Sequence, residues 1–167
     1  KLEIKEAAVA EPTAVSLHAV LMAEASSKKQ LSECRILVQG AGAIGLLSSL
    51  ILSKIKNNNN ITISDPNNLR LKECSKYINS KLVNPADKEV NIDGFDIVFD
   101  TVGLEVSRQQ AISVVKPGGC IIHIGLTQPS GQFNFRKATL QEVTFIGTYC
   151  YTNNDFKNTI RILANKE

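Results

Sequence analysis

Short, nearly unbroken apolar runs alternate along this chain with longer stretches in which apolar residues recur every three or four positions. The runs Ile36-Leu37-Val38, Ile61-Thr62-Ile63, Phe95 to Phe99, Cys120 to Ile124 and Val143 to Tyr149 are too short for helices and rich in β-branched and aromatic residues. They predict strands at 35–39, 61–64, 95–99, 120–124 and 143–149, with a brief further strand at 81–83. The helical spacing predicts helices over 12–25, 43–55, 67–77, 105–115 and 155–164. The first carries Pro12 in its opening turn, where a missing N–H costs nothing. The last shows an apolar side of Phe156, Ile160, Ile162 and Leu163. Between these elements, Ser26 to Ser32 reads as a polar linker and Lys56 to Asn60 as a solvated tip. Asp93-Gly94 reads as a turn, and Lys116-Pro117-Gly118-Gly119 as a turn before the fifth strand. Strands apolar on both sides suit a parallel sheet covered by helices. The pattern therefore predicts an α/β fold, a doubly wound six-stranded parallel sheet in the order 3-2-1-4-5-6 with helices on both faces.

The first strand runs straight into Gly40-Ala41-Gly42-Ala43-Ile44-Gly45, and a helix follows at once. This G-x-G-x-x-G turn lets the chain bend at Gly40, lets a diphosphate approach the backbone at Gly42 and lets helix pack on strand at Gly45. Free N–H groups at the helix start face the anion. Twenty residues after Gly45, Asp65 ends the second strand. A carboxylate there can accept both ribose hydroxyls of an adenosine, and the combination predicts a dinucleotide-binding Rossmann domain.

Other chemistries are weighed by position, and flavin binding stays open though no second flavin-contacting signature supports it. Methyltransferases that use S-adenosylmethionine prefer G-x-G-x-G, which would place glycine at 44, where this chain has Ile44. The pair Tyr77 and Lys81 fits the Y-x-x-x-K spacing of short-chain dehydrogenases, but it follows the second strand on the adenine side, so Tyr77 reads as a surface or helix-end residue. Cys34, Cys74, Cys120 and Cys150 form no C-x-x-C pair, which excludes a zinc ribbon or disulfide framework and leaves buried or half-buried thiols. A net charge of +3 without an arginine-rich stripe argues against nucleic acid, and no apolar run approaches the ~20 residues a bilayer demands. With 167 residues, 43% of them hydrophobic, the chain has the makings of one soluble domain, with the cytoplasm as default location. It opens at Lys1 without methionine, as a fragment or trimmed chain would.

Charge also selects the dinucleotide. A carboxylate ~4 Å from the 2′-phosphate of NADP repels each unit charge by ~4 kcal/mol at an effective dielectric near 20. Asp65 is followed by Pro66, Asn67 and Asn68, none of which offsets that repulsion, so NAD is expected with at least about a hundredfold preference over NADP. Arg70 is the exception: it could fold over the adenine face or reach a phosphate, or stand as a solvated charge.

Several further segments carry a resemblance. Ala10 to Ala19, with Glu11-Pro12, Val15 and His18, resembles an E-P-x-x-V-x-x-H-A lead-in helix. Asp65 to Leu71 resembles a D-x-x-x-x-R-L strand ending. With Phe99 to Gly103, Lys116 to Gly119, Ile124 to Leu126 and Leu140 to Tyr149, these make the chain similar to the cofactor domain of the medium-chain dehydrogenase/reductase family. The similarity is to its zinc-type alcohol and polyol branch, such as sorbitol and threonine dehydrogenases. The resemblance implies that Gly40, Gly42, Ala43, Ile44 and Gly45 form the diphosphate loop. It places Asp100, Thr101, Val102 and Gly103 beside the adenosine ribose, and Ile124, Gly125 and Leu126 beside the nicotinamide. Val15 would pack against the back of the nicotinamide, or serve only the helix core. Glu11 would neighbour or ligate the catalytic zinc, or favour the helix dipole. His18 and His123 read as structural.

The resemblance also exposes departures. The family's cysteine and histidine zinc ligands and its structural zinc lobe come from segments not in this sequence. Cys150 stands where many relatives place a diphosphate-binding arginine. Residues 1–30 would then be the lead-in from a catalytic domain, with 1–167 as the dinucleotide-binding domain and no catalytic residue of its own. Two functions remain: the NAD domain of a zinc-dependent dehydrogenase acting on a small secondary alcohol or polyol, or a stand-alone dinucleotide-binding or sensing module. Phe145, Tyr149 and Tyr151 near the last strand suggest a homodimer through an exposed edge.

Overall fold

A computed structural model describes residues 2–87 and 94–165. The six strands are β1 (Ile36–Gln39), β2 (Ile61–Ser64), β3 (Lys81–Val83), β4 (Phe95–Asp100), β5 (Val115–His123) and β6 (Thr144–Gly147). They form one sheet in the order β3-β2-β1-β4-β5-β6, every pairing parallel, as the hydrophobic pattern predicts. The register places Val38 between Ile63 and Phe99 on one face at the centre of the sheet, while Leu37 and Val98, one residue earlier, pair on the other.

Helices cover both faces. On one, α2 (Ala10–Ser26), α3 (Ala43–Leu50), α4 (Asn68–Cys74) and α7 (Asn153–Asn165) surround a core that includes Ile36, Val38, Ile63, Phe99 and Ile122. On the other, α5 (Glu105–Val114) packs Ala111 and Ile112 against Leu37, Val98 and Ile121, and α6 (Phe135–Leu140) adds Ala138. Alternate residues of each strand serve opposite faces, so Leu37 and Val38 belong to different cores. A short leading helix, α1 (Ile4–Ala8), precedes α2.

Several details depart from the sequence reading. The tip at 56–60 is not wholly solvated: Asn58 is fully buried, and its amide donates to the carbonyls of Leu31 and Cys34. The 26–32 linker is likewise anchored, because Leu31 is buried in the main core and opens a short 3-10 turn over Leu31–Glu33. Helix α3 changes at Leu50 into a wider π turn over Ile51–Ile55. The Lys116 to Gly119 segment does not precede the fifth strand. Val115 already pairs with Phe95, and the ladder resumes at Cys120 beside Ile97, so the four residues loop out of a continuous strand. Helix α6, short and without a buried residue, has no clear apolar period to predict it. The expected turn at Asp93 lies outside the described residues, while Gly94 takes a φ of +71°.

Candidate functional site

The site forms where the chain reverses direction, beyond the carboxyl ends of β1, β2, β4 and β5. Gly40 bends the chain at a φ of +96°, and its N–H donates to the Ser64 carbonyl at 2.7 Å, fixing the turn to β2. A Cβ on Gly45 would run into the Gly40 carbonyl, so the start of α3 can sit this close to the turn only as glycine. Gly42 differs: a Cβ there would meet no atom within 4 Å. The protein itself has no need of a bare backbone at Gly42, whereas a diphosphate does. Gly42 and Ala43 are exposed and Ile44 is half-buried, with their N–H groups at the opening of α3.

Asp65 is buried, and its carboxylate is tied to the turn. One oxygen accepts the Ala41 N–H at 2.8 Å, and the other accepts the Asn67 N–H at 2.7 Å. Asn67 in turn caps α4 by accepting from the Leu69 and Arg70 N–H groups. Each carboxylate oxygen keeps a further lone pair that could take a ribose hydroxyl. Arg70 is exposed, with its guanidinium 3.8 Å from the Asp65 carboxylate. A cleft of about 660 Å³ opens beside these groups, lined by Gln39, Gly40, Ser64, Pro66 and Val102 among others.

On the far side, the loop after β4 is organised by Asp100. This residue has no solvent exposure, and one carboxylate oxygen accepts the Val102 and Gly103 N–H groups at 3.1 and 2.9 Å. The other meets His123 Nδ1 at 3.0 Å. Burial alone would raise its pKa. The bonds from His123, the Gly103 amide, Ser107 and the Val102 amide outweigh it and hold the carboxyl below its usual range. The Thr101 hydroxyl donates to the Gln39 carbonyl at 2.6 Å, closing β4 onto β1. Gly103 and Gly125 press backbone against backbone, so the loops after β4 and β5 form one continuous lip. Ile124 and Gly125 are buried in that lip, and Leu126 stands 76% exposed at its end.

Helix α2 lies along the first turn of α3, where the Ser16 hydroxyl reaches the Ile44 carbonyl at 3.3 Å. Val15 is half-buried against the main core, and Glu11 is exposed in the first turn of α2. Among the described residues no three His, Cys, Asp or Glu side chains are grouped to hold a metal ion. His18 has a structural partner, Asp155, at 2.9 Å. Burial pushes the Asp155 carboxyl up, but the Thr152 hydroxyl and amide and then His18 draw it below the usual range. Tyr77 is exposed just after α4. Cys34, Cys74 and Cys120 are buried thiols, with burial raising Cys120 to about 11, whereas Cys150 is exposed at a φ of +53°. That exposure corrects the expectation that all four thiols are at least half-buried.

The glycine turn, Asp65 and the 101–103 and 124–125 segments thus converge on one rim. A known family shares this chain's sequence pattern: that of the zinc-binding dehydrogenases matches residues 43–165. The chain belongs to the zinc-binding dehydrogenase family. The D-xylulose reductase of Saccharomyces cerevisiae is 27% identical over 99% of this zinc-binding dehydrogenase chain and 48% of its own length. The L-idonate 5-dehydrogenase structure from Escherichia coli superposes with a TM-score of 0.87 at 24% identity, over 98% of this chain and 47% of that one. An acetophenone reductase from Geotrichum candidum, solved in complex with NAD, gives a TM-score of 0.85 at 20% identity, over 96% and 46%. At such identities the structures establish the fold. The chain spans about half the length of these relatives.

Sequence reasoning missed what holds the rim from behind. The resemblance places Asp100 in the loop after β4 but not as that loop's anchor, because its partners are main-chain amides and a distant histidine. Arg108 gave no signal: one arginine on a helix of mixed polarity looks like any solvated cation.

Proposed function

We propose that this chain is the NAD-binding domain of a zinc-dependent oxidoreductase that takes hydride from a small secondary alcohol or polyol. The carrying observation is the pairing of Asp65 with the glycine turn: a buried carboxylate fixed to the Ala41 N–H, beside a Gly42 whose side-chain space is open. The residues fit the dinucleotide. The turn from Gly40 to Gly45 would take the diphosphate and Asp65 the ribose hydroxyls, with Arg70 alongside the adenine. Thr101, Val102 and Gly103 would flank the adenosine, and Ile124, Gly125 and Leu126 the nicotinamide, with Val15 behind it.

Bound NAD would supply a hydride acceptor, and bound zinc would acidify the alcohol. The chain's own work is to orient the dinucleotide along the rim and to exclude NADP through the charge of Asp65. Glu11 would approach the metal from the start of α2, the remaining ligands coming from the other part of the enzyme, with residues 1–30 as the lead-in to it. No helix among the described residues is long and apolar enough to cross a membrane, and three buried free thiols suit a reducing cytoplasm.

A homodimer through β6 accompanies this reading. Phe145 is 43% exposed on that edge strand and Tyr149 is 79% exposed just beyond it, whereas Tyr151 turns inward to stack on Phe156. Isothermal titration of the chain with NAD, NADP and S-adenosylmethionine tests the nucleotide assignment. NAD should bind, NADP at least about a hundredfold more weakly, and S-adenosylmethionine not at all. Equal affinities for NAD and NADP would overturn it.

A further inference from the structure

Arg108 lies on α5, is 9% exposed and has no carboxylate partner among the described residues. Its guanidinium donates instead to three backbone carbonyls. Nη1 reaches Gly103 at 2.9 Å and Gln128 at 3.3 Å, while Nη2 reaches Ser130 at 2.6 Å. These carbonyls belong to two different loops, one after β4 and one after β5. The second loop is shaped to admit the side chain, because a Cβ on Gly131 would sit 2.7 Å from Nη2. A buried cation is costly unless its donors are engaged, and a planar fork suits carbonyls that diverge from one another.

We infer that Arg108 is a positioning residue for the nicotinamide half of the bound dinucleotide. The inference rests on the reading that Ile124 to Leu126 receive that half. The loop after β4 has its own anchor in Asp100, which holds the Val102 and Gly103 N–H groups independently of Arg108. The loop after β5 begins on the Asp100 carbonyl, which accepts the Ile124 and Gly125 N–H groups at 2.9 and 3.1 Å, and from Leu126 onward it depends on contacts across the seam. The Thr127 hydroxyl donates to the Val102 carbonyl at 2.6 Å, the Gln128 N–H to Gly103 at 2.9 Å, and Arg108 holds the carbonyls of Gln128 and Ser130. Of these, Arg108 is the one charged group and the one that reaches as far as Ser130. Removing it should loosen the 126–130 segment, including Leu126 on the nicotinamide side, while leaving Ile124 and Gly125 on the Asp100 carbonyl and the turn at Gly40 and the carboxylate of Asp65 in place.

The test compares two probes, NAD and ADP-ribose, which share the adenosine and diphosphate but differ in the nicotinamide. Affinities are measured by titration calorimetry for the unaltered chain, R108M and R108K, with thermal unfolding followed in parallel. In R108M, NAD should bind about tenfold more weakly, the scale of one charge-assisted hydrogen bond lost, while ADP-ribose stays within about twofold. R108K keeps the charge but not the fork, and should fall between the two for NAD without changing for ADP-ribose. A general loss of structure would move both probes together. Equal weakening of both in R108K, or no change in NAD affinity in either variant, overturns the role assigned to Arg108. If the unaltered chain binds neither probe, the dinucleotide reading itself fails.

Discussion

A methyl group added at Gly42 and one added at Gly45 should have opposite consequences. At Gly45 it meets the Gly40 carbonyl, so Gly45→Ala is expected to cost about 1–3 kcal/mol in urea unfolding. At Gly42 it meets open space, so Gly42→Ala should leave stability within about 0.5 kcal/mol yet weaken NAD binding about tenfold or more, seen by titration. Three glycines in a row of six residues are legible in the sequence as a motif. Which of them serves the fold and which serves a ligand depends on what stands opposite each, and that is set by residues far along the chain. Asp65 was legible for the same reason, as an acid ending an apolar strand at a fixed distance from the turn. Its bond to Ala41 was not, because the partner is a main-chain amide that carries no sequence mark.

Among elements, the central strands were read closely because both faces of β1, β2 and β4 are buried and their side chains advertise it. Polar connectors misled where a distant carbonyl satisfied them. Asn58 looks like part of a solvated run, but it joins the tip after α3 to the segment entering β1. Asn58→Ala should strand two carbonyls and destabilise the chain by about 2 kcal/mol, measured by the shift in urea midpoint at unchanged slope. Val115 misled in the opposite sense: the Pro-Gly-Gly segment after it reads as a break, yet its pairing with Phe95 carries the strand past it. Helices α2 and α7 are joined by His18 and Asp155. Asp155 and Asp100 are both held below the usual carboxylate range, so the stability they add is complete above about pH 4 and is lost as pH falls below it. Urea midpoints should therefore drop on the acid side, and the drop should be smaller in Asp155→Asn.

For the whole molecule, ligand linkage gives a direct check. Saturation with NAD to about a hundred times its dissociation constant should add about 2.7 kcal/mol, seen as a rise of several degrees in unfolding temperature. Sedimentation at about 50 μM should show a dimer if β6 pairs with a second copy, and Phe145→Lys should return it to monomer. The fastening of Asp65 to Ala41 bears on any attempt to switch this protein to the phosphorylated cofactor. A small aliphatic replacement at position 65 would remove the repulsion but orphan an amide beneath the loop, trading selectivity for a slack grip on either cofactor. Conversion would have to retain an oxygen there, as serine or asparagine does. The compensating cation is already at hand in Arg70, whose guanidinium stands 3.8 Å from the Asp65 carboxylate.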